Sequence, residues 1–281
     1  MLHPTNTPPT QLAAASQYDE EKGVRFVHIP TRREVLKIAG AAVAVAATAD
    51  AVAEAQTAAG KIKAIGFDAF TIFDFRSIDA AFEENFPGKA KEIAATWRTR
   101  LFEYTWLRTL NRTYANLEQV SEDALIFASK STKTELSPEV PGKIFDAFLQ
   151  LKPFPDSVGA LKAMRGAGIR LAYVSDFTPR ILKAITENAG VADLFEHQLS
   201  TDAVKAFKPD PRAYQMAETA FKLPRENIVF AAFGGWDAAG AKAFGYNTFW
   251  VNRFNVPVEE LTVKPDAIGN TLTDLAKYVM A

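Results

Sequence analysis

The 281-residue chain contains no cysteine, so disulfides, thiol nucleophiles and cysteine-ligated metals are excluded at once. Histidine is almost as scarce. His3, His28 and His197 are the whole complement, which argues against a histidine-built metal site or a Ser-His-Asp triad. Neither sign of charge predominates: a formal net charge of −1 provides no global field to attract nucleic acid or an anionic membrane. What is present is ordinary globular usage, 48% hydrophobic and 23% charged, enough to build one large domain or two small ones around a sizeable core.

The first 55 residues read as separate from the fold. Residues 1–30 are rich in Pro, Thr and polar residues with little periodicity, the pattern of a disordered leader. Thr31-Arg32-Arg33-Glu34-Val35-Leu36-Lys37 then resembles a twin-arginine export signal. A mildly apolar, Ala-rich run over 38–48 follows, and Ala53-Glu54-Ala55 supplies a small-x-small cleavage site. That run is well short of the ~20 apolar residues a membrane span needs. The expectation is a periplasmic protein, folded before export, whose mature chain (56–281) keeps no stable membrane anchor.

Strand-length apolar runs recur at 62–67, 170–175, 227–233 and 248–251, with helix-period segments at 157–166, 179–189 and 212–221 between them. Gly168 and Gly190 fall where helices should end. Strands alternating with helices predict an α/β fold, a Rossmann-like parallel sheet with helices on both faces. The interval 78–151 breaks the alternation. Its apolar residues recur at helical spacing throughout, which predicts an inserted helical cap over a core formed by 56–77 and 152–281. No internal repeat or low-complexity tract occurs in the mature region.

In parallel sheets the site lies at the carboxyl ends of the strands. Asp68, Ser175-Asp176 and Trp236-Asp237 all fall just past such ends. Asp68, in the apolar stretch FDAFTIFDF, can act as a nucleophile or cap the following turn. Lys208, at an apolar-to-turn junction, can hold that carboxylate ionised or be a solvated loop lysine. Asp237, after a Gly pair, can activate water or N-cap the next helix. Arg98, among Trp97, Phe102, Tyr104 and Trp106, can bind an anion or stack on its neighbours. Asp74 reads as part of a turn.

These segments together resemble the type II haloacid dehalogenases, the L-2-haloacid branch of the haloacid dehalogenase superfamily. FDAFTIFD is similar to their first motif, WRTRLFEYTWLRTL to their cap helix, LAYVSDFTP to the second motif, FKPDPRAY to the third and GGWDAAGAKAFGYNTFWVNR to the fourth. The resemblance covers about 62–279. It implies a metal-independent hydrolase without cofactor, acting on short 2-haloalkanoic acids to give the 2-hydroxy acid and halide. Asp68 would attack C2 in line, and water would cleave the resulting ester with help from Asp237 and Lys208. Arg98 would cradle the halide or the carboxylate, and Ser175 with nearby amides would hold the carboxylate. Tyr214 would support the carboxylate–lysine arrangement, while Phe70, Leu117 and Trp236 would line an apolar pocket. A homodimer would be the assembly, as relatives often pair.

The chain also departs from that pattern. Thr71 comes three residues after Asp68 rather than four, and Asp176 occupies a place usually given to asparagine. An ionised aspartate cannot donate to halide as an amide does. Ala232 and Gly234 replace a serine and an asparagine, and Leu117 an aromatic residue. Two rival readings follow. One is a small-carboxylate binder on the same scaffold, favoured by the missing polar groups. The other, less favoured, is a magnesium phosphatase, for which Phe70 sits where such enzymes carry their acid.

Overall fold

The computed structural model describes residues 16–19, 24–27 and 62–281. Ser16–Asp19 and Val24–Val27 pair antiparallel in a unit of their own, where the sequence reading expects no element. The twin-arginine-like segment and the Ala53-Glu54-Ala55 motif lie outside the described residues.

The larger unit is built on β1 (Ala64–Phe67), β2 (Arg170–Ser175), β3 (His197–Ser200), β4 (Ile228–Ala232), β5 (Asn247–Val251) and β6 (Ala267–Gly269). They lie in the order β6-β5-β4-β1-β2-β3, and every neighbouring pair is parallel. Side chains alternate between the faces of a strand, and this sheet is apolar on both. Ile65, Phe67, Leu171, Tyr173, Val229 and Ala231 face one buried cluster. Ala64, Ala172, Val174, Ile228, Phe230 and Ala232 face another. Burial on both sides is why these strands read as continuous apolar runs rather than as an apolar–polar alternation.

One face is covered by α5 (Ser157–Gly166), α6 (Pro179–Asn188) and α9 (Leu272–Met280), through Leu161, Met164, Ile181, Ile185 and Leu275. The other is covered by α7 (Pro211–Phe221) and α8 (Gly235–Phe244), through Tyr214, Ala217, Phe221, Ala238 and Ala241. Gly168 and Gly190 both adopt positive φ, 83° and 63°, just past the ends of α5 and α6. That left-handed turn suits glycine and stops a helix sharply.

Between β1 and β2 the chain leaves the core for α1 (Ser77–Asn85), α2 (Ala90–Leu110), α3 (Leu117–Ser131) and α4 (Val140–Phe148). Phe82, Trp97, Leu125, Ile144 and Phe148 bury their apolar faces together, and Trp97 Nε1 donates to Ser121 O at 3.1 Å, tying α2 to α3. A short antiparallel ladder, Phe73–Asp74 with Lys152–Pro153, closes the neck of this insertion. Among the described residues no helix is long and apolar enough to cross a membrane.

Candidate active site

Asp68 is the first residue beyond β1. Its backbone is extended, and its N–H donates to Ala231 O on the neighbouring strand at 2.9 Å. Its Oδ1 accepts from Phe70 N at 2.7 Å, capping the short 3₁₀ turn Ala69–Thr71. Its Oδ2 accepts from Lys208 Nζ. The turn-capping and lysine-paired readings of Asp68 therefore hold together: one oxygen serves each.

Lys208, wholly buried, comes from the loop before α7, and its ammonium also donates to Asp237 Oδ2 at 2.9 Å. Asp237 lies in the first turn of α8, whose N-cap is Gly234 without a side-chain cap, so its carboxylate is free to point inward. Its Oδ1 accepts from the buried Tyr214 hydroxyl at 2.7 Å. Tyr246 in turn donates to Tyr214 O at 2.7 Å. The close approach of α8 to this tyrosine depends on Gly240. A Cβ there would come within 2.6 Å of the Tyr214 hydroxyl and 2.7 Å of Pro209 Cβ.

The electrostatics follow from burial and pairing. Burial opposes the charge on Lys208, but Asp237, Asp68 and Asp176 outweigh it and hold the ammonium well above the ordinary lysine range. Burial pushes Asp237 up to about 6 against the pull of Lys208. Tyr214 is raised well above its usual value, by burial first and then by Asp237, so it remains a donor.

Above Asp68 opens a cavity of about 120 Å³. Its floor is Asp68, Ser175, Asp176 and Gly234, and its walls are Phe70, Phe177, Phe233 and Trp236. The cap supplies Leu101, Phe102, Thr105, Leu117 and Phe148. Thr105 spends its hydroxyl on Phe102 O at 2.7 Å, so the roof offers chiefly hydrocarbon. Ser175 Oγ accepts from Phe177 N at 3.1 Å, which leaves its hydrogen free to donate.

Two residues expected at the site are placed elsewhere. Arg98 does not line this cavity. It borders a second apolar chamber of about 100 Å³ with Phe75, Ile78 and Trp97, donates to Asp79 at 2.7 Å and stacks over Phe75 at 4.7 Å. Phe70, Leu101, Phe102, Phe148 and Phe233 are shared by the two chambers. Thr71 is fully buried, and its hydroxyl donates to the backbone O of Asp68 at 2.7 Å rather than to the carboxylate. Asp74 is a turn residue, accepting from Arg76 N at 3.0 Å.

Sequence reasoning missed Phe177, Phe233, Leu101, Thr105 and Phe148 as lining residues. The first two adjoin motif residues and were findable; Phe148 carries no local signal. It also missed Arg253, whose side chain is largely covered, donates to Thr71 O at 2.6 Å and pairs with Asp156 at 2.6 Å, bracing the turn that carries Asp68.

A parallel sheet with a carboxylate at a central strand end, an inserted helical cap and a buried lysine at the carboxylate define a class of hydrolases that work through an aspartyl group. The chain belongs to the haloacid dehalogenase-like hydrolase family, whose model matches residues 30–245. It is 40% identical to haloacetate dehalogenase H-2 of Moraxella sp. (strain B) over 73% of this chain and 92% of that one. It is equally similar, 40%, to the (S)-2-haloacid dehalogenase of Pseudomonas sp. (strain YL), over 73% of this chain and 89% of the relative. The L-2-haloacid dehalogenase of Xanthobacter autotrophicus, solved with chloropropionic acid covalently bound, superposes with a TM-score of 0.72 at 30% identity. That alignment covers 78% of this chain and 98% of the other.

Proposed function

We propose that the protein hydrolyses the carbon–halogen bond of short (S)-2-haloalkanoic acids through an ester on Asp68. The observation that carries this reading is the placement of Asp68: its carboxylate is held by Lys208 on one oxygen and Phe70 N on the other, and it faces a small cavity lined mainly by apolar side chains. A carboxylate with little water around it is a better nucleophile toward carbon. Its attack on C2 forms the ester C–O bond and expels halide with the bonding electrons. Water then cleaves the ester, releasing the 2-hydroxy acid and one proton and restoring the carboxylate. Lys208 pairs with the attacking Asp68 carboxylate in the first step, and Asp237, itself steadied by Tyr214, fixes the lysine. Ser175 is the hydroxyl donor nearest to hand for the substrate carboxylate. Arg98 can contribute only by leaving Asp79 and crossing the shared aromatic wall.

Halide release from the purified 56–281 chain with L- and D-2-chloropropionate, with and without chelator, tests the reading. Chelator-insensitive release from the L-enantiomer is expected. Folded protein that releases nothing from either enantiomer sinks it and returns attention to the carboxylate-binding alternative. We further propose export by the twin-arginine route, motivated by Arg32-Arg33 and the short apolar run after them. Periplasmic fractionation of the full chain against an Arg32→Lys, Arg33→Lys variant tests that; equal distribution of the two removes it.

A further inference from the structure

Asp176 lines the Asp68 cavity, yet it belongs to no ion pair among the described residues. Its Oδ1 accepts twice, from Lys208 N at 3.1 Å and from Thr201 Oγ1 at 3.2 Å. Among the described residues no donor reaches its other oxygen, and the residue, which lines the cavity, keeps some exposed surface. The ammonium beside it, that of Lys208, is spent on Asp68 and Asp237, and Lys205 Nζ lies over the Tyr114 ring at 5.1 Å. Tyr114 and Asp202, beyond Thr201, are hydrogen-bonded to each other, and the cap brings only apolar groups and Thr105 to the cavity. Asp68, Asp176 and the adjoining Asp237 thus set three carboxylates against one lysine. Were all three ionised, an anionic substrate would enter a site already carrying excess negative charge.

We propose that Asp176 works as the neutral carboxylic acid, donating a hydrogen bond from its free oxygen to the anion the cavity must hold, whether substrate carboxylate or departing halide. The assignment rests on the dehalogenase reading for the identity of that anion, but not for the protonation of Asp176. The chemistry balances without consuming the proton. Asp68 forms the C–O bond, halide leaves with its electron pair, and water supplies the hydroxyl of the product and the proton released. Asp176 keeps its own hydrogen throughout. Burial pushes Asp176 up to about 7, opposed by Lys208 and reinforced by Asp237 and Asp68, so the acid form is present at and below neutrality.

Asp176→Asn tests this, since an amide retains an acceptor for Lys208 and Thr201 and offers N–H donors that do not titrate. With L-2-chloropropionate, the wild-type kcat/KM should fall about tenfold per pH unit on the alkaline side, whereas the variant should stay flat there. Calorimetric titration with propionate and with chloride, across the same pH range, separates the two anions. The one whose affinity declines with pH in wild type but not in Asp176→Asn is the one Asp176 receives. An alkaline limb unchanged in the variant, with neither anion's binding altered, overturns the proposal. If neither protein releases halide yet propionate binding still loses its pH dependence in the variant, the dehalogenase reading fails and the Asp176 assignment stands. Should Asp176→Asn not fold, infrared spectra of wild type and Asp176→Ala decide. A carboxylic-acid carbonyl band at neutral pH that is missing from the variant supports the proposal, and an identical band in both overturns it.

Discussion

The floor and the roof of the Asp68 cavity are made of opposite materials. Beneath the floor, behind Asp68, lies a lattice of buried charge, Lys208 between Asp68 and Asp237 with Tyr214 beyond, hung on the end of β1, the loop before α7, α7 itself and the start of α8. The roof is Leu101, Phe102, Leu117 and Phe148 from three cap helices. Charge must be fixed to a fraction of an ångström to be useful, and the ends of a hydrogen-bonded parallel sheet are fixed in that way. Dryness asks only for hydrocarbon of about the right shape, which helices from an insertion can supply. The core therefore carries the chemistry, and the cap the solvent in which it happens.

That division can be broken from either side. Asp68→Asn removes the nucleophile while nearly preserving shape. Halide release should drop by at least about 10⁴-fold, while calorimetry should still detect binding of propionate. Lys208→Met leaves Asp68 and Asp237 buried without their common cation and should cost about 3–5 kcal/mol, read as a lowered denaturation midpoint together with lost activity. On the roof, Leu117→Ala should cost about 2–3 kcal/mol by opening a gap at a buried position. It should lower kcat by admitting water, with the floor intact; unchanged kcat would show that dryness is not the roof's contribution.

The carboxylates of the floor also set a pH dependence of stability. Asp237 is raised to about 6 and Asp176 to about 7, so through the range from about 4 to 7 the folded chain binds more protons than the unfolded one. Stability from these two groups is then fully present at the acid end and is lost as pH rises through that window. Thermal denaturation should show the melting temperature falling there, less steeply in Asp176→Asn. Smallest of all is a surface change on the cap. Glu103→Gln breaks a half-exposed ion pair with Arg100 and should shift stability by less than about 0.5 kcal/mol.

Much of the core was legible because burial on both faces leaves an unmistakable trace. The run at 170–175 coincides with β2, and those at 62–67, 227–233 and 248–251 contain or nearly match β1, β4 and β5. The strands that escaped notice, β3 and β6, lie at the sheet's two edges. His197–Ser200 reads as polar, and Ala267–Gly269 is only three residues long. The first cap helix falls within the interval 78–151 read as helical, with Ile78 and Phe82 four apart on its buried side. Asp79, the partner of Arg98, lies on that helix, and no local pattern marks the arginine as already engaged. Spacing finds residues that share a chain segment; it does not find which partner a long side chain selects.

Gly240 has a bearing on how this protein tolerates change. It lies in α8, apart from the cavity lining, and touches neither Asp68 nor Lys208 among its nearest neighbours; its importance is an empty space the size of one methyl group. Filling that space pushes on the Tyr214 hydroxyl and on Pro209, and so on both partners that hold the Asp68–Lys208–Asp237 chain in line. A library that varies only residues facing the cavity would leave this position untouched. One that varies the helices would find, at Gly240, that the smallest possible addition of mass reaches the reactive carboxylate through two intermediaries.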